Sequence, residues 1–230
     1  MTSWNKNMSL RFYLLIVFNL ILQSCSLDSI DSRIAPGYVE AFRTIKNSFI
    51  DLDNELITPE LIKNIPYASL TLKIGRGSPG LLILESVEGT KQTWVSADGV
   101  YLVLERGRII KTAGLFNNLI NFKTAKNNFA DLIDSKSLET LINYYSYDEP
   151  ELNDLRVEAK RQFIQMEKVK LLSFEKSLYL IEENISNDFI GWKRQNKFWA
   201  DDENFIWKSE QFVSPKLPKF QIEITKKPAN

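Results

Sequence analysis

Closely spaced turn signals in the first half of the chain constrain its fold more than any other sequence feature. A glycine-rich loop at 75–80 is followed by two-residue turns at 88–89, 98–99 and 106–107. From 67 to 74, before the first turn, apolar and polar residues alternate, which indicates a half-buried strand. The Asp-Gly pair at 98–99 is among the strongest hairpin signals. These turns predict an antiparallel meander of about five strands.

The loop at 75–80 also matches the GxGxxG pattern of dinucleotide-binding sites. In those sites the glycines lead into the N-terminus of a helix, whose amides bind phosphate. Here they lead into the strand-like run 81–87, with Pro79 inside the loop. The loop is therefore interpreted as a hairpin connection.

Helical patterns are few. An amphipathic helix is predicted to begin at Pro36, because Tyr38, Phe42, Ile45 and Phe49 recur at helical spacing. Thr58 and Pro59 form a second helix start, with Thr58 as the cap. We expect a single turn at most, since Pro66 restricts Ile65. The polar segment 123–143 predicts another short helix, capped by Ser135 and carrying Leu138, Leu141 and Ile142 as its apolar stripe. Segment 155–170 fits a helical face as well as a strand.

We therefore expect a mainly β protein. The predicted fold is an antiparallel β-sandwich or barrel-like meander, with an N-terminal amphipathic helix and one or two short helices. Residues 36–230 are expected to form a single β-rich domain, which is long enough to bury a sizeable core.

The N-terminus predicts the compartment. Residues 1–11 carry Lys6 and Arg11 but no acidic residue, and the apolar run 12–22 is about half the roughly 20 residues that a membrane-spanning helix needs. This pattern is typical of a signal peptide. It ends in Leu-Gln-Ser-Cys, which resembles a bacterial lipobox, so Cys25 is the predicted lipidation site.

In this interpretation residues 1–24 are the signal peptide and 25–35 are the lipidated cysteine and a polar tether. Ser26 stands where an inner-membrane retention signal would have aspartate, so we expect an outer-membrane protein that faces the periplasm. An ordinary cleaved signal with a chance cysteine, or an uncleaved N-terminal anchor, are the alternatives.

Composition excludes several classes of function. The 29 basic and 29 acidic residues balance, so there is no electrostatic footprint for nucleic acid. The chain has no histidine, which removes the usual general base and the commonest metal ligand. Its one cysteine cannot form an intramolecular disulfide. We expect neither a metal nor a cofactor.

Motifs in both halves of the chain resemble one family. Trp-Val-Ser-Ala-Asp-Gly at 94–99 is followed by Arg-Ile-Ile-Lys-Thr-Ala-Gly-Leu at 108–115, and Asn-Lys-Phe-Trp at 196–199 precedes Ile-Trp-Lys-Ser-Glu-Gln at 206–211 and Ser-Pro-Lys-Leu-Pro at 214–218. This combination resembles the YjbF/GfcB family, the group 4 capsule polysaccharide lipoproteins.

The resemblance implies a role in exopolysaccharide or capsule production or export. It also implies strands rather than a helix in 155–170. The chain departs from the family at 201–204, where Asp-Asp-Glu-Asn stands in a turn that usually contains glycine.

Three molecular roles are compatible with these patterns. We favour a non-catalytic accessory protein that binds an export component or the glycan; the alternatives are a glycan-modifying hydrolase with paired carboxylates and a lipid or glycolipid carrier. No carboxylate pair stands out, since Glu182 and Glu183 point to opposite faces of a strand.

Aromatic residues either stack on sugars or fill the core. The candidate glycan or partner contacts are Trp94, Asp98, Arg106, Lys111, Trp199 and Trp207.

Overall fold

Residues 57–229, the part of the chain that the computed structural model describes, form one antiparallel sheet of twelve strands with two short helices. The strands are β1 Ser69–Ile74, β2 Gly80–Glu88, β3 Lys91–Ser96, β4 Tyr101–Glu105, β5 Arg108–Ala113, β6 Leu119–Thr124, β7 Leu138–Tyr147, β8 Leu152–Lys170, β9 Glu175–Asn187, β10 Trp192–Ala200, β11 Ile206–Gln211 and β12 Phe220–Lys226. The helices are α1 Pro59–Asn64 and α2 Ala130–Ser135.

The sheet curls into a nearly closed barrel. Its strand order runs β5-β4-β3-β2-β1-β12-β11-β10-β9-β8-β7-β6, so β1 pairs with β12 and the two edge strands, β5 and β6, are consecutive in the chain. Near the gap, Thr112 Oγ1 on β5 accepts a hydrogen bond of 2.9 Å from the amide of Leu119 on β6. The predicted mainly β, antiparallel, barrel-like fold is confirmed.

The predicted meander is also confirmed. The glycines of its three turns, Gly89, Gly99 and Gly107, have φ angles of 60°, 87° and 79°. The β3–β4 connection contains four residues, 97–100, rather than two. The loop at 75–80 joins β1 to β2 as a hairpin connection. Gly114 explains why two motifs occur together: a Cβ there would lie 2.4 Å from the carbonyl oxygen of Gly99, so the two turns pack backbone to backbone.

The prediction for 123–143 was wrong in part. A short helix, α2, does lie in this range, but Ser135 is its last residue. Leu138, Leu141 and Ile142 lie on β7, which pairs with β6 and β8. Apolar spacing of three and four cannot by itself distinguish a helix from a strand whose two faces are both partly covered. Segment 155–170 lies within β8, as the resemblance implied.

At the start of the described region, Thr58 Oγ1 accepts a hydrogen bond of 3.3 Å from the amide of Leu61, and Pro59 is the first residue of α1. This confirms the predicted cap, although α1 has six residues and is longer than the single turn expected. The signal peptide, Cys25, the tether and the amphipathic helix expected after Pro36 lie outside the described residues. Between residues 57 and 229, neither helix has the length and apolar character required to cross a membrane.

Candidate functional site

A buried ion pair crosses the interior of the barrel. The guanidinium of Arg108 on β5 donates to both carboxylate oxygens of Glu183 on β9, over 2.8 Å and 2.6 Å. Both side chains are almost completely buried. Asn196 on β10 donates a further hydrogen bond of 2.9 Å to Glu183, and Arg108 Nε donates to the Asn127 side chain over 3.1 Å.

These contacts keep Glu183 ionised. Burial alone would raise its pKa, but the charge of Arg108 and the hydrogen bonds from Arg108 and Asn196 hold the pKa below its usual range. Burial would likewise lower the pKa of Arg108, and the facing carboxylate raises it instead. A buried carboxylate with a charged partner on both oxygens acts as an internal counter-ion.

A second buried arginine lies beside this pair. Arg161 on β8 is fully buried and donates to Glu139 on β7 over 2.5 Å. It also donates to the backbone carbonyl of Asn128 over 3.1 Å. The ring of Phe129 lies close to both arginines, with its centroid 5.8 Å from the guanidinium carbon of Arg108 and 5.2 Å from that of Arg161. The two arginines therefore hold the loop 127–129 in place.

The charged residues form a layer between two apolar clusters. Along β9, Ile185 belongs to the larger cluster and Ile181 to a smaller one, with Glu183 between them. The smaller cluster includes Phe129 and Phe198, whose ring centroids are 4.8 Å apart. It lies towards one end of the barrel, where the loop 127–129 closes the interior.

At this end a cleft of about 440 Å³ opens to the surface. Because neighbouring strands alternate in direction, the β2–β3, β4–β5 and β10–β11 turns and the β6–β7 connection all meet here. The cleft is lined by Thr90, Gln92, Leu104, Arg106, Gly107, Asn128, Phe129, Glu203, Asn204, Phe205, Ile206, Ile224 and Lys227. Its floor is apolar, and its rim carries hydroxyl, amide and charged groups.

The β4–β5 turn forms one wall of the cleft. Arg106 has a left-handed backbone, with φ of 50°, a conformation that costs a residue with a side chain about 1–2 kcal/mol. Gly107 follows with φ of 79°, and a Cβ on it would lie 2.3 Å from the Cβ of Ile206. Only glycine permits this close approach of the turn to β11.

The β10–β11 turn forms the opposite wall, and Asp201 organises it. The carboxylate of Asp201 accepts hydrogen bonds from the amides of Glu203 and Phe205, over 3.0 Å and 2.9 Å, and from Trp207 Nε1 over 2.7 Å. Asn204 has a left-handed backbone with φ of 62°. Glycine and asparagine are the residues that most readily adopt this conformation, so asparagine fits a turn in which the resemblance implies glycine.

Of the two cationic side chains that the described residues place on the rim, Lys227 forms an ion pair and Arg106 does not. Lys227 pairs with Glu203 over 2.9 Å, and its ammonium lies 4.7 Å from the centroid of the Phe205 ring. Arg106 is exposed, and within residues 57–229 its guanidinium has no ion-pair partner. Arg106 is therefore the cationic group of the lining whose charge is not paired within the described residues.

The structure distributes the predicted contact residues over several places. Arg106 lines the cleft. Asp98 and Lys111 are exposed, but the β3–β4 turn that carries Asp98 lies at the other end of the barrel, and Lys111 does not line the cleft. Trp94 has 0% exposure and packs in the larger apolar cluster, so its ring cannot stack on a sugar at the surface.

Trp199 and Trp207 lie on the outer face of the sheet, under the tip of the β8–β9 hairpin. Trp199 is 7% exposed and donates to Glu167 over 2.6 Å. Trp207 is half-buried, and the ring of Phe174 at the hairpin tip packs edge-on against it with centroids 5.2 Å apart. The hairpin tip covers both rings in this structure.

The motifs that carried the family resemblance meet around the charged layer and the cleft. Gln211 accepts from the amide of Ile109 over 3.0 Å and donates to the carbonyl of Gly107 over 2.8 Å. Asn196 accepts from the amide of Phe212 over 2.7 Å while it donates to Glu183. These motif residues join β5 to β10 and β11 across the barrel, and thereby set the distance between the walls of the cleft.

Sequence reasoning missed the charged layer itself. Glu183 was considered only as one half of an adjacent pair, and Arg161 and Phe129 lie in segments without a motif. The available signal was that Arg108 and Asn196 occur inside the two recurring motifs.

Comparison with known proteins supports the family resemblance that these motifs indicated. The model of the family described as group 4 capsule polysaccharide lipoprotein gfcB, YjbF, matches residues 42–225. The lipoprotein YjbF of Escherichia coli K12 is 27% identical over 207 residues, which cover 86% of this chain and 90% of the relative. The lipoprotein GfcB of the same organism is 28% identical over 111 residues, or 48% of each chain.

The fold is also similar to a solved structure. The crystal structure of the hypothetical lipoprotein YmcC from Escherichia coli K12 superposes with a TM-score of 0.67 at 21% identity, and the match covers 84% of this chain and 96% of that one. At this identity the likeness concerns the fold alone.

Proposed function

Because this chain belongs to the YjbF family of group 4 capsule polysaccharide lipoproteins, we propose that it is a lipid-anchored accessory protein of exopolysaccharide or capsule production or export. It binds the glycan or an export component at the cleft on the end of the barrel. It makes and breaks no bond.

The single observation that carries this proposal is the composition of the cleft. An apolar floor with polar groups at the rim is the usual character of a binding site for a small molecule or for part of a chain. Glycoside hydrolysis requires two carboxyl groups about 5–10 Å apart on either side of the bond. Among the residues between 57 and 229 that line this cleft, the only carboxylate is Glu203, and it is paired with Lys227.

The buried charged layer supports the cleft without touching a ligand. Arg108 and Arg161 hold the loop 127–129, which contributes Asn128 and Phe129 to the lining. We regard both arginines as positioning residues. An ion pair at this depth is a costly feature unless its geometry is good, and here it fixes one wall of the site.

The anchor is part of the proposal. Lipid on Cys25 would hold the protein to the outer membrane with the barrel in the periplasm, and more than one acyl chain gives firm attachment. Wild-type cells and cells carrying Cys25→Ala are labelled with radioactive palmitate and fractionated. We expect label and outer-membrane location only in the wild type; label on the variant would refute the anchor.

The accessory role is tested by deleting the gene and measuring cell-associated and secreted polysaccharide. We expect polysaccharide to fall and to be restored by the wild-type gene. The purified full-length protein is then incubated with that polysaccharide, and its reducing ends are counted. An increase in reducing ends that disappears in Glu203→Gln would favour the hydrolase, whereas unchanged polysaccharide in the deletion strain would refute the accessory role.

A further inference from the structure

We propose that the cleft binds an acidic sugar residue, and that the guanidinium of Arg106 is the group that binds its carboxylate. This inference rests on the proposed function, because it names the class of ligand for the same cleft. It adds a charge requirement that neither the family nor the fold assigns.

The first argument is the position of Arg106. The first central residue of a two-residue hairpin turn of this kind is usually asparagine, aspartate or glycine, since the backbone must be left-handed. Arginine has no such preference, yet Arg106 adopts φ of 50°. Residues held in sparsely populated backbone conformations cluster at binding sites, and this turn lines the cleft.

The second argument is that the turn is held rigidly. Gln211 donates to the carbonyl of Gly107 over 2.8 Å and accepts from the amide of Ile109 over 3.0 Å. Gly107 also packs against Ile206 so closely that no side chain fits between them. The backbone of Arg106 is therefore fixed relative to β11, which reduces the entropy lost when its side chain binds a ligand.

The third argument is charge. Glu203 neutralises Lys227, and Glu105, next to Arg106, accepts hydrogen bonds from Thr90 and Asn127 over 3.0 Å each. Within residues 57–229, Arg106 is left without an ion-pair partner at the rim. Guanidinium binds carboxylate through two parallel hydrogen bonds, so the group that best complements Arg106 is an anion.

The remaining lining fits the body of a sugar ring. Thr90, Gln92, Asn128 and Asn204 bring hydroxyl and amide groups to the rim, and these both donate and accept hydrogen bonds, as sugar hydroxyls require. The floor contains Leu104, Ile206 and Ile224, which suit the apolar face of a pyranose. A ligand that combines hydroxyl groups, an apolar face and a carboxylate is a uronic acid.

The test compares two ligands with the same sugar backbone, one with carboxylates and one with uncharged methyl esters in their place. Binding of tetragalacturonate and of its fully methyl-esterified form to full-length protein in detergent is measured by titration calorimetry. We expect the acid to bind about tenfold or more tightly than the ester, as loss of one charge-assisted contact implies. In Arg106→Gln this preference disappears, while in Lys111→Gln, which removes the same charge away from the cleft, it remains.

The outcomes separate this inference from the proposed function. Equal binding of acid and ester would overturn the acidic ligand and leave a glycan-binding accessory protein intact. A preference that survives in Arg106→Gln would overturn the assignment to this cleft. Binding of neither ligand would overturn the inference, and the deletion experiment above would still decide the accessory role.

Discussion

The guanidinium of Arg108 and the carboxylate of Glu183 form a two-point ion pair inside the barrel, over 2.8 Å and 2.6 Å, and join two strands that do not pair with each other. This contact links the wall that carries the β4–β5 turn to the wall formed by β9 and β10. The guanidinium carbon of Arg108 lies 5.8 Å from the centroid of the ring of Phe129, which lines the cleft.

Breaking this pair from one side should destabilise the protein strongly. Glu183→Leu leaves the Arg108 charge buried without its partner, which costs about 3–5 kcal/mol, whereas replacing both partners by apolar residues is often neutral. We expect Arg108→Met/Glu183→Leu to recover most of the loss. The free energy of unfolding is measured by urea denaturation.

Lys123→Ala is the control, because it breaks the exposed pair between Lys123 and Asp154, and exposed pairs contribute little. If Glu183→Leu lost no more free energy of unfolding than this control, the buried pair would not stabilise the fold.

Acid should lower the stability of the protein. The pKa of Glu183 is below its usual range in the folded state, whereas in the unfolded chain it is about 4.3. Its contribution is therefore present above that pH and is lost as pH falls through the folded-state pKa. Burial would raise the pKa of Asp148, but hydrogen bonds from Asn118 and from backbone amides lower it overall. Asp148 therefore also loses its contribution to stability as the pH falls.

Glu223 acts in the opposite sense, since burial raises its pKa. Urea denaturation at several pH values between about 2 and 6 measures how the free energy of unfolding changes with pH. This change should be less steep in Glu183→Gln than in the wild type. A slope identical to that of the wild type would contradict the assignment to Glu183.

Gly107→Ala should cost more stability than Gly89→Ala. Both glycines have positive φ, but a Cβ at position 107 would collide with Ile206, and a Cβ at position 89 would meet open space. The difference between the two losses of stability measures the effect of the close packing of Gly107 against Ile206. We expect this difference to be about 1–3 kcal/mol. Thermal unfolding of the two variants measures it. Equal losses would show that the backbone conformation alone requires glycine at position 107.

Asn204 should tolerate glycine but not valine. Its φ of 62° is accessible to glycine without strain, whereas a β-branched residue is strongly disfavoured there. We expect Asn204→Gly to unfold at or above the wild-type temperature and Asn204→Val to lose about 1–2 kcal/mol. A loss of stability in Asn204→Gly similar to that in Asn204→Val would show that the Asn204 side chain itself holds the turn.

Local patterns determined most of the first half of the barrel. Turn pairs such as Asp98-Gly99 between short alternating runs leave an antiparallel meander as the simple solution, because each turn requires a left-handed glycine and each run is too short for a helix. The helix cap at Thr58, followed by Pro59, was likewise predicted from adjacent residues alone. The motifs shared with the family, and the lipobox-like end at Cys25, also needed no tertiary information.

Burial and the meeting of distant residues were decided only by the tertiary structure. Alternation shows that a residue faces one side of a strand, but not which side is covered, so Trp94 could not be assigned to the core, nor Trp199 to a place beneath the β8–β9 hairpin. Arg108 and Glu183 are 75 positions apart in sequence, and their pairing depends on curvature that no local pattern encodes. The cleft exists because closure of the barrel brings Arg106, Phe129 and Asn204 from three separate connections to the same end.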